Sequence, residues 1–313
     1  MFQELLQTIR SHDTIIIHRH YRPDGDALGS QIGLMHLIRH NFPEKTVFIV
    51  GDDAGYLSFM PGAVMDPVAD EAYSNALAIV LDTSSPQLIS DDRWRSAKAT
   101  ARMDHHIYQG KFTDVEVIGQ DYESCCGLVA QFALDCGLAL NADAARALYT
   151  GMVTDSGRFR YDGTNARTFR LASFLREQAF STEEIFRGLY SETVENKQLR
   201  AKFVLKIQLT EKNVAYTYTT REEVRQLGID TFTASRGMVN VMADLKGVDL
   251  WVNFTETDEG ILCELRSSGR NINPVAVKYG GGGHAKASGA TVPDRDTAMK
   301  MLEDLNNLMG EPV

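Results

Sequence analysis

The stretch D13-TIIIHRH-20 followed by Y21-RPDGDALGS-30 and running on to Asn41 decides the fold. Residues 13–20 are a β-branched run of the kind that forms strands. Pro23 and Gly25 then force a turn. From 27 to 41 apolar residues (Leu28, Ile32, Leu34, Met35, Leu37, Ile38) recur near helical spacing. Strand, tight turn and helix repeat outward from here. KTVFIV (45–50) and ALAIVLD (76–82) predict a second and third strand, and ATARMD (99–104) and DVEVIG (114–119) two more. Near-continuous apolar strands separated by helices predict an α/β fold, a parallel sheet with helices on both faces. Helical patterns follow at 124–136, 142–154, 166–178 and 182–189, and MFQELLQTIRSHD at the start reads as an amphipathic helix and not a signal peptide.

Residues 191–202, SETVENKQLRAK, are polar and charged and lack a strand pattern, which marks a boundary carried by an exposed helix. The expected organisation is a domain at 1–190, a connector at 191–202 and a second domain at 203–313. In the second half FVLKIQL, VAYTYTT, VDLWVNFTE and GILCELRS read as strands, with helices near 221–228 and 235–245. A glycine run, a short strand (ASGATV) and a helix at 296–308 close the chain. This is the pattern of a smaller α+β domain.

The bulk numbers agree with two domains. The chain has 313 residues, 43% of them hydrophobic, so each half can bury a core. No apolar run approaches the roughly 20 residues that span a bilayer. Cys125, Cys126, Cys136 and Cys263 show no CxxC or disulfide-framework spacing, so free thiols in a reducing cytoplasm are expected. The net charge of −10 and pI of about 5.3 argue against a long nucleic-acid footprint, which needs a basic surface. A short phosphorylated substrate is compatible if cations offset the acidic groups.

Those acidic groups are unevenly placed. The turn after the first strand holds His20, Asp24 and Asp26, and crowded carboxylates repel unless a cation sits between them. The helix starting near Ala27 aims free N–H groups at the same space, which favours a phosphate. An ordinary Pro-Asp-Gly turn with Asp26 as N-cap is the competing reading. Asp82 ends the third strand, with a turn former as its alternative. Asp104-His105-His106 ends the next, with a surface histidine pair as its alternative. Asp155 lies in Thr154-Asp-Ser-Gly-Arg158-Phe159, where a helix-terminating turn competes. His20, Asp82 and Asp104–His106 share the carboxyl ends of strands, the place where open α/β sheets bind ligands. An Asp-rich set with some His and no Cys suits hard divalent cations such as manganese or magnesium, and a paired-metal centre that moves phosphoryl groups.

A second constellation is Tyr279-Gly280-Gly-Gly282-Gly283-His284-Ala-Lys286, with Arg266 and Ser267 upstream. Successive glycines expose backbone N–H groups and let a ligand approach, and Arg grips a phosphate in a bidentate way. A flexible loop is the plain alternative. His12, His18, His36 and His40 read as structural or exposed. Trp94, Trp251 and the scattered Tyr and Phe read as core or half-buried surface and not as base-stacking platforms.

In combination, HRHYRPDGDALGSQ, DHH, TDSGRF and GGGGHAKASGA resemble the DHH–DHHA1 phosphoesterase family along the whole chain, nearest to its oligoribonuclease and 3′-phosphoadenosine-5′-phosphate phosphatase group. The resemblance implies a DHH domain with two Mn²⁺ ions (Mg²⁺ or Co²⁺ as alternatives), a DHHA1 domain that binds substrate, and an active site in the cleft between them. It implies His20 and Asp24 on one metal, Asp26, His105 and Asp155 on the other, and Asp82 bridging both. Asp104 would orient a histidine and His106 would contact the phosphoryl group. Arg266, Ser267, Gly282, Gly283 and His284 would hold the phosphate or nucleotide end, with help from Arg158. The implied activity is Mn²⁺-dependent exonucleolytic cleavage of very short 5′-phosphorylated RNA (nanoRNA, pApA) to mononucleotides, extending to 3′-phosphoadenosine-5′-phosphate. A linear di-adenylate-specific phosphodiesterase in cyclic di-AMP turnover and a non-catalytic nucleotide sensor are the alternatives; the complete ligand set argues against the sensor. No membrane or long nucleic acid is expected as a partner, and a homodimer is left open.

Overall fold

Ile15, Ile16 and Ile17 are all fully buried, as a strand must be when both faces of its sheet are covered. They belong to β1 (Thr14–His18), which with β2 (Thr46–Ile49), β3 (Leu77–Leu81), β4 (Ala99–Asp104) and β5 (Val115–Ile118) forms a five-stranded sheet. The order is β2-β1-β3-β4-β5 and every pair is parallel. The computed structural model describes residues 2–310. The chain divides into two compact units, Met1–Ser191 and Glu192–Val313.

In the first unit the two faces are covered by different means. Ile15, Ile17, Ile79, Leu81 and Met103 pack in one large core with side chains of α1 (Gln3–Arg10), α2 (Gly25–Asn41), α3 (Cys125–Asp135), α4 (Ala142–Asp155) and α5 (Ala166–Arg176). A sixth helix, α6 (Thr182–Tyr190), follows. The alternate residues Ile16, Ala78 and Val80 join two smaller clusters that include Tyr73 and Trp94. Those two come from 3₁₀ segments at Asp70–Asn75 and Asp92–Ser96, which the apolar pattern did not announce. The period-two alternation of each strand thus separates an α-helical layer from a layer of short turns.

Close approach of α2 to α4 depends on small residues. A Cβ at Gly29 would lie 2.7 Å from the Ala147 carbonyl oxygen, and one at Gly151 would collide with Cys126 Sγ and sit 2.9 Å from the Gly25 carbonyl. Hydrogen at these positions lets the two helices touch backbone to backbone. That contact brings the start of α2 (Asp24, Asp26) beside the end of α4 (Asp155).

The second unit contains α7 (Val194–Val204), β6 (Gln208–Leu209), β7 (Ala215–Thr219), α8 (Arg221–Leu227), β8 (Leu250–Glu256), β9 (Ile261–Ser267), α9 (Asn273–Lys278), β10 (Gly282–His284), β11 (Ala287–Val292) and α10 (Arg295–Leu308). Its mixed sheet runs β10-β11-β9-β8-β7-β6, with β7–β8 the parallel pair. Two expectations need correction here, and one alternative falls. FVLKIQL is not a strand: Phe203 is buried in the last turn of α7 against Val224, Ala234 and Met238, and only Gln208–Leu209 pair. The helix near 235–245 is broken into a π-turn (Thr233–Gly237) and a 3₁₀ turn (Val239–Met242). The buried Asn253 side chain donates to the Ala234 and Ser235 carbonyls at 2.7 and 2.6 Å, which takes those acceptors out of a helical ladder. The glycine run is not a free loop, because Gly282–His284 pair antiparallel with β11. No helix is long and apolar enough to cross a membrane among the described residues.

Candidate metal centre

Every predicted ligand of the first unit arrives at the carboxyl edge of the parallel sheet. His20 stands two residues beyond β1, Asp82 one beyond β3, and Asp104 closes β4 with His105 and His106 next. Asp24 is the N-cap of α2, its Oδ1 accepting from Asp26 N and Ala27 N at 3.0 Å each. The cap is therefore Asp24 and not Asp26, because Asp26 is turned inward and 1% exposed. Asp155 is the last residue of α4.

The side chains meet in three overlapping groups: His20, Asp24 and Asp82; Asp26, His105 and Asp155; and Asp82, His105 and His106. Within each, the candidate ligand atoms lie within 4.8 Å of one another. His20 Nε2 is 3.8 Å from Asp24 Oδ1 and 3.6 Å from Asp82 Oδ2. His105 Nε2 is 3.6 Å from Asp26 Oδ2, 3.4 Å from Asp82 Oδ1 and 3.5 Å from Asp155 Oδ2. These spacings are too long for good hydrogen bonds. They suit atoms that face a common point, since ligands about 2.1 Å from one ion lie roughly 3.0–3.5 Å apart.

Two further observations fit a divalent cation. His20 Nδ1 meets the Tyr21 carbonyl at 2.8 Å and His105 Nδ1 the Tyr122 carbonyl at 3.3 Å. A carbonyl only accepts, so each Nδ1 carries the proton and each Nε2 lone pair is turned into the cluster. Asp82 is 2% exposed and its buried Oδ1 has no hydrogen-bond partner. A buried carboxylate oxygen left without a partner is costly, and a cation relieves it. Four carboxylates (Asp24, Asp26, Asp82, Asp155) carry four negative charges, which two divalent ions offset.

Without cations the cluster titrates abnormally. Burial, and then the charges of Asp82 and Asp155, push the Asp26 carboxyl well above the usual range. Burial and the neighbouring Asp82 and Asp24 raise Asp155 to about 6 against the pull of His105. Burial opposes charge on His20 and His105, but the surrounding carboxylates outweigh it and raise each to about 10. Asp104 is tied elsewhere: its Oδ1 accepts from His106 Nδ1 at 2.8 Å, so the histidine it orients is His106. Nε2 of that half-exposed ring is left free of Asp104.

Several supporting groups had no sequence signal. The N–H groups of Cys125 and Cys126, at the start of α3, donate to Asp26 Oδ2 and Oδ1 at 2.6 and 2.8 Å. The helix N-terminus thus grips a carboxylate 99 residues away. Arg19, fully buried, donates to Gln31 Oε1 (3.0 Å), Asp52 Oδ1 (2.7 Å) and the His20 carbonyl (3.1 Å), while Asp52 Oδ2 accepts from Arg22 N at 2.7 Å. This network fixes the His20–Asp24 turn, where Arg22 is left-handed (φ 52°). Among the described residues six non-glycine residues have positive φ, and four of them (Arg22, Asp82, Arg158, Phe159) lie on the loops that carry the cluster. Such strain persists only where the surroundings over-determine it.

In the second unit, register places Arg266, Ala287 and His284 in one row across β9, β11 and β10. Arg266 is half-buried and bonded to Glu264 at 3.1 Å; Ser267 Oγ accepts from Gly269 N at 3.1 Å. Gly282 and Gly283 are in β10, and the Gly283 carbonyl accepts from Asn273 Nδ2 at 2.8 Å. Gly283 has φ 133°, and a Cβ there would lie 2.5 Å from the Ala287 carbonyl oxygen. Arg158 is exposed in the first unit, its guanidinium 4.9 Å from the Tyr190 ring centroid.

A parallel α/β unit with an Asp/His cluster on its carboxyl edge, followed by a mixed-sheet unit with a glycine-rich edge strand, defines a DHH-type phosphoesterase. Residues 14–152 match the DHH family, N-terminal domain, and residues 213–311 match the DHHA1 domain; the chain belongs to this DHH–DHHA1 family. It is 36% identical over 314 residues to the bifunctional oligoribonuclease and PAP phosphatase NrnA of Bacillus subtilis, covering 99% of both chains. It is 34% identical over 309 residues to the probable bifunctional enzyme of the same name from Streptococcus mutans, covering 98% of this chain and 99% of that one. Its fold is similar to the crystal structure of an exopolyphosphatase-related protein from Bacteroides fragilis, with TM-score 0.86, 26% identity, and 99% and 97% of the two chains covered.

Proposed function

We propose that this chain hydrolyses very short 5′-phosphorylated oligoribonucleotides to mononucleotides, and removes phosphate from 3′-phosphoadenosine-5′-phosphate, with Mn²⁺ as its metal. The observation that carries this reading is the convergence of three carboxylates (Asp24, Asp26, Asp155) and the Nε2 atoms of His20 and His105 with the buried Asp82, whose Oδ1 has no hydrogen-bond partner. The activities for which its full-length relatives are named support it.

His20 and Asp24 would hold one ion, Asp26, His105 and Asp155 the other, and Asp82 would be shared. Two bound cations supply a lowered water pKa and neutralise charge at the phosphoryl group. The rest is work for the chain itself. The α3 N–H groups of Cys125 and Cys126 hold the Asp26 carboxylate in place at the cluster. Asp104 takes the Nδ1 proton of His106 as a hydrogen bond and raises the His106 pKa above its ordinary value. The imidazolium then donates from Nε2 to the departing oxygen as that oxygen gains charge. Arg158 in the first unit, and Arg266, Ser267, Gly282, Gly283 and His284 in the second, would hold the phosphate or nucleotide end. Guanidinium and backbone N–H groups match phosphate oxygens. The four cysteines carry no disulfide, which supports a reducing, cytoplasmic setting.

The deciding experiment incubates EDTA-stripped protein with 5′-phosphorylated diadenylate, longer RNA or 3′-phosphoadenosine-5′-phosphate, each with Mn²⁺, Mg²⁺ or Co²⁺. The proposal expects mononucleotide release from the dinucleotide, fastest with Mn²⁺ and absent with EDTA. No release from any short substrate with any of the three metals refutes it.

A further inference from the structure

The first unit has five well-exposed tyrosines, Tyr21, Tyr56, Tyr108, Tyr161 and Tyr190. Tyr21 follows β1, Tyr56 follows β2, Tyr108 follows β4 and His106, Tyr161 follows Asp155 by six residues, and Tyr190 closes α6. The first three are on loops that leave the carboxyl edge of the sheet. The remaining tyrosines of this unit, Tyr73, Tyr122 and Tyr149, are buried or half-buried. This corrects the expectation that the scattered aromatics are only core or half-buried surface.

Two of the five are tied together by packing. Phe59 lies against Gly188 so closely that a Cβ there would overlap its ring, which pins the loop after β2 onto α6. Tyr56 is 65% exposed on that loop, and Tyr190 is the last residue of that helix. On the other side, Arg158 reaches the Tyr190 ring at 4.9 Å from a turn in which Gly157, Arg158 and Phe159 are all left-handed (φ 57°, 64° and 62°). L-residues avoid that conformation at roughly 1–2 kcal/mol each, so the turn that follows Asp155 holds Arg158 out at a cost.

The chemistry of the site makes aromatic faces useful. The cluster is acidic and the chain carries −10, so little backbone-charge attraction is available to a short oligonucleotide beyond its scissile phosphate. Stacking on an aromatic face needs no charge and accepts any base, at roughly 1–3 kcal/mol per base. A guanidinium plane lying on an aromatic ring extends such a platform.

We infer that Tyr56 and the Arg158–Tyr190 pair form a base-stacking subsite beside the acidic cluster, which takes the nucleobase next to the scissile phosphate. The subsite rests on the reading of the chain as a nuclease of very short RNA. It selects for a base without selecting which base.

The test uses the full-length protein and a 5′-phosphorylated dinucleotide carrying 2-aminopurine and a hydrolysis-resistant linkage. Stacking quenches 2-aminopurine fluorescence. Wild type should quench the probe. Tyr56→Ser and Tyr190→Ser should lose the quench and raise the dissociation constant roughly 5- to 100-fold. Tyr56→Phe and Tyr190→Phe should restore both. In turnover the Ser variants should raise KM by a similar factor with little loss of kcat. They should also lose the wild-type preference for a normal dinucleotide over one with an abasic sugar. Exposed positions tolerate such changes within about 0.5 kcal/mol of stability, and thermal melts verify this. Serine variants that still quench the probe, or that discriminate against the abasic substrate as wild type does, overturn the subsite. If wild type quenches the probe but cleaves no natural dinucleotide, the nuclease reading fails while the stacking surface stands.

Discussion

Replacing Asp82 by Asn isolates the charge at the centre of the cluster. Asn keeps the shape, so no cavity opens. It also tolerates the left-handed backbone at this position (φ 50°), where Ala would add roughly 1–2 kcal/mol of strain. What is lost is a carboxylate that is 2% exposed, with Oδ1 3.4 Å from His105 and Oδ2 3.6 Å from His20. In wild type, an ion present at a hundred times its Kd stabilises the folded state by about 2.7 kcal/mol. For a unit of this size each kcal/mol is worth about 2–4 °C, so metal should lift the midpoint roughly 5–10 °C. Removing groups that only support a ligand already costs about 10- to 100-fold in metal affinity. A shared ligand should cost at least the upper figure. At the same metal concentration the variant then gains only about 0.4 kcal/mol, a shift of about 1 °C. Turnover should fall at least about 10³-fold, equivalent to about 4 kcal/mol of barrier. Thermal melts with and without Mn²⁺, and hydrolysis of a 5′-phosphorylated dinucleotide, read both effects. An Asp82→Asn protein with the full metal shift and activity within about tenfold of wild type would refute the reasoning.

Three other outcomes follow from the same geometry. Gly151→Ala should cost about 1–3 kcal/mol in urea unfolding under EDTA, because its methyl would collide with Cys126 Sγ and press on Asp26 Cα at 3.0 Å; metal affinity measured by calorimetry should fall with it. His106→Gln should lower kcat about 10²- to 10⁴-fold while the metal content stays at the wild-type value, since the role given to His106 is proton donation. Metal-free protein should lose stability as pH rises from about 6.5 toward 10. His20 and His105 titrate at about 10 when folded, so their contribution is complete below the ordinary histidine value and disappears through the folded one. Asp155, raised to about 6, adds a penalty that grows from the ordinary carboxylate range upward and is complete above pH 6. Metal inverts the trend, because it wants neutral histidine and ionised aspartate. Melting curves across pH, with Mn²⁺ and with EDTA, should therefore diverge as pH rises.

Much of the first unit was legible because burial on both faces leaves a blunt signature: Ile15–Ile17 and Leu77–Leu81 are apolar without a break. Candidate ligands stood out because strand ends in such sheets converge on one edge. The anchoring of Asp26 was not legible, since its partners are backbone N–H groups of Cys125 and Cys126 and any residue supplies an N–H. Phe203 misled because the burial of one aromatic side chain against α8 overrode the strand propensity of FVLKIQL. The glycines of 280–283 looked like a loop by composition. Their cause is tertiary: Gly281 and Gly283 lie so close to the Gly289 and Ala287 carbonyls that a side chain has no room. The exposure of the first unit's tyrosines was invisible because aromatics in strand-flanking loops carry no periodicity, and exposure is known only once the chain is folded.

Counting metal bears most directly on the central claim, that crowded carboxylates at the sheet edge are tolerable because cations lie among them. Equilibrium dialysis of EDTA-stripped protein against Mn²⁺, followed by elemental analysis, should give two ions per wild-type chain and at most one in Asp82→Asn. Fewer than one ion per chain in wild type, or an uptake that Asp82→Asn leaves untouched, would contradict the account.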